Sequence, residues 1–320
     1  MSKGSVQFHN FHPAVADLYD DIVTGFERNP RSIPPKYFYD QTGSQLFDQI
    51  TQTKDYYPTR TECSILSDNK KDIISRLPKK CILIEPGGGS CSKVQIFLNE
   101  LQPSVFIPMD ISETHLKLSS EALAAEFSWL TIHAVCNDFT AEISVPDEIP
   151  VEDRVVFFPG SSIGNFHPDA AVEYMLKLAT LIGAGGQFLI GVDLKKDKHI
   201  LERAYNDAED VTSDFNLNLL TRINRELKAD FDLEGWQHYA YYNDDEGRIE
   251  MHLRSLFEQI VKIKDHEYYF DENECIHTEN SYKYSIEEFQ LLASKAGFNS
   301  DKVWVDENNL FSVHLFSVKQ

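Results

Sequence analysis

The feature that most constrains this chain is the regular alternation of short apolar runs with helix-forming stretches between residues 81 and 193. Strands that alternate with helices of about 10–15 residues indicate βαβ units and a parallel sheet covered on both faces. The predicted strands are Cys81–Glu85, Val105–Asp110, Thr131–Val135, Arg154–Pro159 and Gln187–Asp193.

The alternation of strands and helices stops after the fifth predicted strand, and a simple pattern returns near the end of the chain. Residues 197–283 begin with one predicted long helix, Lys198–Asp214, and continue with strand-like runs such as Ile249–Ile263. The end of the chain predicts a helix and then two strands, Val303–Asp306 and Leu310–Val318, joined by a short turn. An antiparallel hairpin after five parallel strands is typical of methyltransferases that use S-adenosylmethionine.

Composition narrows the classes of function. The chain carries 51 acidic and 30 basic residues, a net charge of −21, so a nucleic acid partner is not expected. No run of about 18 apolar residues predicts a membrane span, and the N-terminal residues lack the apolar core of a secretory signal. The five cysteines are scattered and no histidine pair has metal-ligand spacing, so we expect neither disulfides nor a metal. We therefore expect a reduced, cytoplasmic, monomeric protein.

A glycine-rich loop follows the first predicted strand, in the run Glu85-Pro86-Gly87-Gly88-Gly89-Ser90-Cys91-Ser92-Lys93. Such glycines let the backbone approach a nucleotide-like ligand closely, although a tight turn without a ligand also uses them. Ser92 stands where a dinucleotide fingerprint has its third glycine, which disfavours NAD. Asp110 ends the second strand, where a carboxylate accepts hydrogen bonds from ribose hydroxyls; the alternative role is to cap the next helix.

Two more loops follow the third and fourth predicted strands. Asn137-Asp138-Phe139 combines a carboxylate with an aromatic ring, which suits an adenine, and a solvated turn is the alternative. The loop Phe158–Phe166 lies where a transferase would present its acceptor. Its Gly160-Ser161-Ser162-Ile163-Gly164 run has the spacing of a nucleophile elbow. A hydrolase with Ser162 as nucleophile and His314 as base therefore remains an alternative.

Segments spread over nearly the whole chain, in order, resemble the histidine Nα-methyltransferases of ergothioneine biosynthesis. Besides the glycine loop, the matching segments are Ile33–Asp40, Gly43–Phe47, Tyr56–Glu62, Pro159–Phe166, Asn224–Leu227, Ile249–Met251 and Thr278–Tyr284. Because several of these segments lie outside the βαβ region, the resemblance is more specific than a glycine loop alone.

The resemblance implies an α/β fold with two domains. Residues 61–196 with 284–320 would form a Rossmann-type class I methyltransferase domain that binds S-adenosylmethionine and ends in the antiparallel hairpin. Residues 1–60 with 197–283 would form a second, α+β domain that binds the substrate and closes over it. The implied reaction is methylation of the α-amino group of L-histidine, in three successive transfers, to the betaine hercynine.

The resemblance also implies roles for particular residues. Positions for the cofactor are Tyr39, Gly87, Lys93, Asp110, Asp138 and Phe139, and Tyr39 is also assigned as catalytic. Positions for the substrate are Tyr56, Asn165, Tyr205, Met251, Glu279 and Ser281. Asn165 and Tyr205 can donate to a carboxylate, whereas Glu279 and Ser281 share one face of an extended segment and can bond the two imidazole nitrogens. A surface ion pair of Glu279 with Lys283 is the alternative.

Three other functions remain open at the level of sequence. The same fold can methylate another small amine or amino acid, or stop at fewer methyl groups. An NAD-binding oxidoreductase shares the strand–loop–helix pattern, and a non-catalytic interaction module shares the composition.

Overall fold

The computed structural model describes residues 5–11, 18–138, 140 and 143–319. In chain order the strands are β1 (Ser5–Asn10), β2 (Arg31–Ser32), β3 (Ile82–Pro86), β4 (Val105–Asp110), β5 (Thr131–Cys136), β6 (Arg154–Phe158), β7 (Gln187–Asp193), β8 (Trp236–Asn243), β9 (Arg248–Ser255), β10 (Gln259–Ile263), β11 (His266–Phe270), β12 (Cys275–Tyr282), β13 (Phe298–Val305) and β14 (Phe311–Val318).

The helices occupy the segments between these strands. In chain order they are α1 (Leu18–Phe26), α2 (Gln41–Ile50), α3 (Tyr57–Asp68), α4 (Lys70–Arg76), α5 (Gln95–Leu101), α6 (Glu113–Glu126), α7 (Pro168–Ile182), α8 (Lys198–Tyr205), α9 (Val211–Leu227) and α10 (Ile286–Lys295). Short 3₁₀ turns lie at Pro35–Phe38, Ser162–Asn165 and Leu233–Gly235. No helix in the described ranges is long and apolar enough to cross a membrane.

The chain divides into two compact units. Of the described residues, the first unit contains 5–11, 58–196 and 282–319, and the second contains 18–57 and 197–281. The strand β1 pairs in parallel with β5, from Ser5 opposite Thr131 to Asn10 opposite Cys136. It therefore belongs to the sheet of the first unit, and the prediction that 1–60 lies wholly in the second domain is wrong for this strand.

The first unit is built on one eight-stranded sheet with the order β1-β5-β4-β3-β6-β7-β14-β13. The five strands predicted from the alternation, β3 to β7, are all present and all pair in parallel. The strand β14 runs antiparallel to both β7 and β13, so it lies between them. The predicted Rossmann-type sheet with a C-terminal antiparallel hairpin is confirmed.

Both faces of this sheet are covered, which explains why its central strands read as continuous apolar runs. Successive side chains of a strand point to opposite faces. Leu83 accordingly packs in a cluster with residues of α3 to α6, such as Leu66 and Leu116. Its neighbour Ile84 packs in a second cluster with residues of α7 and α10, such as Met175. Ligands bind at the carboxyl ends of the strands in such sheets. The loops described below lie at those ends.

The second unit has its own sheets and its own aromatic core. Its four-stranded sheet has the order β2-β12-β9-β8, and β10 and β11 form a separate antiparallel hairpin. Phe26 makes edge contacts with the rings of Phe231, Tyr268 and Phe270. This core buries residues from both chain segments of the unit.

Two predicted elements of the second unit are each divided in the structure. The long helix predicted over Lys198–Asp214 is two helices, α8 and α9. The side chain of Asp207 accepts the N–H groups of Val211 and Thr212, at 2.9 and 2.8 Å, and so starts a new helix.

The strand predicted over Ile249–Ile263 is divided into β9 and β10 by a turn, in which Ser255 Oγ donates to the carbonyl oxygen of Phe257.

A buried carboxylate joins the two places where the chain leaves and re-enters the first unit. Asp193, at the end of β7, pairs through Oδ1 with Lys196 Nζ at 2.6 Å and through Oδ2 with Lys283 Nζ at 2.7 Å. Burial lowers the pKa of Lys196 to about 8, although Asp193 opposes that shift. Lys196 is the last residue before the segment 197–281, and Lys283 closely follows it.

Candidate functional site

The glycine loop after β3 folds tightly against the end of β4. Gly87 and Gly89 have positive φ angles of 67° and 47°, in the left-handed region that favours glycine. The N–H of Gly88 donates to the carbonyl oxygen of Met109 at 3.0 Å. The loop is therefore held beside the last residues of β4, at the carboxyl edge of the sheet.

Asp110 connects this loop to the start of α6. Its Oδ2 accepts the N–H of Gly89 at 3.0 Å, and its Oδ1 accepts the N–H of Ser112 at 2.8 Å. Burial raises the pKa of Asp110, and the N–H groups of Ser112 and Gly89 oppose the rise. Ser112 is the N-cap residue of α6, so Asp110 does not itself cap the helix, and its bond to Gly89 ties it to the glycine loop. Binding of ribose hydroxyls by Asp110 stays a prediction.

The loop after β5 is described only in part. Asp138 is buried, and its Oδ1 accepts the N–H of Thr140 at 3.1 Å. The N–H of Asn137 donates to the carbonyl oxygen of Asp110 at 3.1 Å, which places this loop next to the end of β4. Phe139, predicted to pack on the adenine, lies outside the described residues.

Glu85, the last but one residue of β3, is a buried carboxylate that the sequence did not single out as a site residue. Its side chain is 1% exposed, and its Oε2 has no hydrogen-bond partner among the described residues. Burial raises the pKa of Glu85 from 4.5 to about 8, the Lys93 ammonium lowers it, and Glu62 and Asp110 add to the rise. An acidic residue at the end of a continuous apolar strand is the sequence signal that identifies it.

The pKa of Glu85 predicts how stability depends on pH. Between about pH 4.5 and 8 the folded chain keeps a proton that the unfolded chain releases, so the free energy of unfolding falls as the pH rises. We expect Glu85→Gln to remove this fall, which is at most about 1.4 kcal/mol per pH unit. Urea denaturation between about pH 5 and 9 measures it, with the exposed Glu121→Gln as control. Equal slopes in wild type and Glu85→Gln would contradict the prediction.

The loop after β6 is shaped by close backbone contacts. A Cβ on Gly164 would lie 2.7 Å from the carbonyl oxygen of Tyr282, so only glycine fits there. Ser161 adopts a φ of 58°, and its Oγ accepts the N–H of Asp193 at 2.9 Å. Asn165 ends the 3₁₀ turn that follows and is half-buried.

This loop does not hold a nucleophile elbow. Ser162 Oγ donates to the carbonyl oxygen of Pro159 at 3.3 Å. His314 is fully buried in β14, where its Nε2 lies 2.9 Å from Ser312 Oγ and its ring stacks on Phe316. Burial lowers the pKa of His314 to about 3, so it is a poor base at neutral pH. The hydrolase alternative therefore lacks its serine–histidine pair.

Four of the predicted residues come together in the second unit, three of them aromatic. The ring of Tyr39 meets Phe47 edge-on at 5.8 Å, and Phe47 in turn meets Tyr56 at 6.4 Å. Tyr56 contacts Tyr205 at 6.2 Å, and the Tyr205 hydroxyl donates to Ser281 Oγ at 2.8 Å. The sequence assigned Tyr205 and Ser281 to opposite ends of the substrate, whereas the structure joins them directly.

The remaining substrate positions lie on neighbouring strands of the same unit. Met251 is on β9 and Glu279 on β12, and both side chains are buried. Thr278 Oγ1 donates to the carbonyl oxygen of Met251 at 3.0 Å, which ties the two strands together. Lys283 is 2% exposed and pairs with Asp193, so it is not the surface lysine that the alternative for Glu279 required.

Part of the matching sequence serves the architecture of the second unit. Asp40 caps α2 through the N–H of Gly43 at 2.8 Å, and it also accepts from Asn218 and from Arg225. Burial raises the pKa of Asp40, but hydrogen bonds from Arg225 and Gly43 outweigh it, so the pKa is lowered. The half-buried carboxylate of Asp40 therefore connects the chain segments that contain Asp40 and Arg225.

The structure also brings together three residues with metal-ligating atoms, His9, His133 and Glu148, which are far apart in the sequence. His9 Nε2 and His133 Nδ1 lie 3.1 Å apart, and Glu148 Oε1 lies 3.8 Å from His133 Nδ1. The two rings are nearly parallel, with centroids 5.2 Å apart. The short separation of the two nitrogens indicates a direct N–H···N hydrogen bond between the rings.

The strand order, with a glycine loop after β3 and buried acidic residues at or just beyond the carboxyl ends of β3, β4 and β5, is the arrangement expected of a Rossmann-type, S-adenosylmethionine-dependent methyltransferase. A family model described as "Histidine-specific methyltransferase, SAM-dependent" matches residues 18–318. The chain therefore belongs to the family of histidine-specific, S-adenosylmethionine-dependent methyltransferases. The resemblance found in the sequence and the predicted cofactor are both confirmed.

Named relatives agree with this family. A "Histidine N-alpha-methyltransferase" of Mycolicibacterium smegmatis is 40% identical over 309 residues, covering 94% of this chain and 95% of that protein. One of the same name from Mycobacterium tuberculosis is 38% identical over 93% of this chain and 94% of its own length. "Ergothioneine biosynthesis protein 1" of Neurospora crassa is 29% identical over 94% of this chain, which spans 35% of that longer protein.

The residues of the first unit fit S-adenosylmethionine. The cofactor carries an amine that donates hydrogen bonds, and Glu85 Oε2 is a buried carboxyl oxygen without a hydrogen-bond partner among the described residues. Gly87 and Gly89 keep the adjoining backbone free of side chains. Gly87, Lys93, Asp110 and Asp138 all lie in this unit, whereas Tyr39, the other described cofactor position, lies in the second.

Proposed function

We propose that this enzyme methylates the α-amino group of L-histidine three times and so forms hercynine. The observation that carries this proposal is the buried polar set Tyr205, Glu279 and Ser281 in the second unit. A buried carboxylate and a hydroxyl match the donor and the acceptor nitrogen of a neutral imidazole. The family match and the two mycobacterial relatives support the same acceptor.

Each predicted residue in the described part of the chain has a role in this proposal. Asp110 and Asp138 hold the ribose and the adenine amine of the cofactor, Gly87 allows its close approach, and Lys93 takes its carboxylate. S-adenosylmethionine supplies an electrophilic methyl group when it is bound. The enzyme then has to orient a neutral amine, because placement accounts for much of the rate of such a displacement.

The second unit supplies the acceptor side of the proposal. Tyr205 binds the acceptor together with Tyr56 and Met251, while Glu279 and Ser281 read its imidazole. Asn165, in the first unit, is proposed to donate to the acceptor carboxylate. Tyr39 is proposed as the catalytic residue, because contacts with Phe47 and Phe215 fix its ring and thereby the position of its hydroxyl.

Mass spectrometry of products tests the proposal directly. The enzyme is incubated with S-adenosylmethionine and with histidine, histamine, phenylalanine or tryptophan in separate reactions. We expect hercynine from histidine, and almost no product from histamine, because it lacks the carboxylate, or from the two amino acids without an imidazole. Accumulation of only mono- or dimethylhistidine would contradict the third transfer. Preference for another amine would replace histidine as the acceptor.

A further inference from the structure

Glu62 is a buried acid of the first unit that none of the roles above uses. It lies on α3, and its side chain is 0% exposed. Its Oε2 pairs with the ammonium of Lys93, which lies between the glycine loop and α5. The N–H of Gly160, in the loop after β6, donates to both carboxylate oxygens, at 3.0 Å to Oε1 and 2.9 Å to Oε2.

The surrounding chain leaves space for this carboxylate. A Cβ on Gly191 in β7 would lie 1.9 Å from Glu62 Oε1, so β7 needs a glycine at this place. A Cβ on Gly160 would lie 3.4 Å from Lys93 Nζ. Burying a charge is costly unless it is paired and hydrogen-bonded, and here both conditions are met at the carboxyl ends of β3, β6 and β7.

We propose that Glu62 is a positioning residue, which fixes the Lys93 ammonium so that it binds the carboxylate of S-adenosylmethionine. This inference rests on the proposed cofactor role of Lys93. A lysine ammonium is a point charge on a flexible four-carbon stem, so it binds an anion well only when the stem is held. The pair with Glu62 holds it before the cofactor arrives. At neutral pH the α-carboxylate is the one anionic group of the cofactor. It is therefore the group of the cofactor that the Lys93 ammonium would bind.

Two ligands separate positioning from general support of the fold. S-adenosylhomocysteine has the carboxylate, whereas 5′-methylthioadenosine lacks the whole amino acid part. Calorimetry compares their affinities in wild type, Glu62→Gln, Lys93→Met and the double variant. We expect Glu62→Gln and Lys93→Met each to weaken S-adenosylhomocysteine about tenfold or more, and 5′-methylthioadenosine by less than about twofold. The double variant should bind S-adenosylhomocysteine no more than about twofold weaker than Lys93→Met, because Glu62 acts through Lys93.

A matched control breaks a surface ion pair of the same unit. Glu100 on α5 pairs with Lys70 at 2.6 Å, and Glu100→Gln should leave both affinities unchanged. Glu62→Asp keeps the negative charge on a side chain that is one methylene shorter. We expect its affinity for S-adenosylhomocysteine to lie between those of wild type and Glu62→Gln. This variant can be measured if Glu62→Gln does not fold.

Three results would overturn the inference in distinguishable ways. Equal weakening of both ligands by Glu62→Gln would make Glu62 a purely structural residue. If Glu62→Gln binds S-adenosylhomocysteine normally while Lys93→Met binds it more weakly, Lys93 binds the cofactor without help from Glu62. An unaffected Lys93→Met would remove the proposed role of Lys93 itself. Histidine methylation by the wild-type enzyme, measured separately, tests the proposed function and does not depend on any of the three.

Discussion

Replacing Asp110 by alanine is expected to weaken S-adenosylmethionine binding by roughly 10- to 150-fold, equivalent to about 1.5–3 kcal/mol for a lost charged hydrogen bond. Its two carboxylate oxygens already accept the N–H groups of Gly89 and Ser112. A carboxylate offers about four acceptor sites, so it can also take the two ribose hydroxyls. We therefore expect the substitution to remove the proposed ribose contact and to loosen the glycine loop at the same time.

A second ligand separates these two effects of Asp110. Calorimetric titration of S-adenosylhomocysteine measures the total loss, and titration of its 2′-deoxy analogue measures the loss that remains without one ribose hydroxyl. If Asp110 binds the ribose, Asp110→Asn should lose discrimination between the two ligands. The exposed Glu121→Ala on α6 is the control for a lost acidic residue nearby. An unchanged affinity of Asp110→Ala with an unchanged melting temperature would remove Asp110 from the site.

The double variant Glu279→Ala/Ser281→Ala is expected to lose most of the preference for histidine while it still binds S-adenosylmethionine. A site that hydrogen-bonds a polar group can reject analogues without that group by about 10⁴- to 10⁵-fold. Both side chains are buried on β12, and Ser281 Oγ already accepts the Tyr205 hydroxyl. Removing both takes away the carboxylate and the hydroxyl that are proposed to bond the imidazole nitrogens, so an imidazole loses its advantage over another ring.

Competition among amino acids measures this change. Histidine, phenylalanine, tryptophan and leucine are offered together, and the methylated products are counted by mass spectrometry. Asn280→Ala is a matched control, because Asn280 is a buried polar residue of the same strand that bonds His277 at 2.9 Å. Full histidine selectivity in the double variant, or the same loss in Asn280→Ala, would disprove the imidazole assignment.

The central sheet could be predicted from the sequence because strands buried on both faces read as unbroken apolar runs. The strand β1 could not, since it lies at the edge of the sheet and its residues are mostly exposed or half-buried. Its partner β5 is more than a hundred residues away along the chain, so no local pattern records the pairing. The break between α8 and α9 depends on one capping side chain, Asp207, whose role is visible only from its bonds.

The candidate site follows the same division. That Gly87, Asp110 and Asp138 lie at one edge of the sheet could be predicted, because they stand at or just after the ends of parallel strands, which share one edge. Their roles toward the cofactor stay a proposal. Glu62 could not be assigned from the sequence, because its meaning depends on Gly160 and Gly191, which are distant in the chain. The proposed acceptor residues were reached only through resemblance, since spacing alone does not separate a buried Glu279 from a surface one.

The two lysines on Asp193 have a consequence for how such an enzyme can change its substrate. Lys196 and Lys283 stand at the two ends of the segment 197–281, and one carboxylate holds both ends together. The entropic cost of closing a loop grows only slowly with its length once its ends are fixed. Loops within the segment can therefore change in length while the strands that carry Glu85 and Asp110 keep their pairing. If the second unit binds the acceptor, as proposed, acceptor preference can change through this segment without any change in the sheet that carries the proposed cofactor residues.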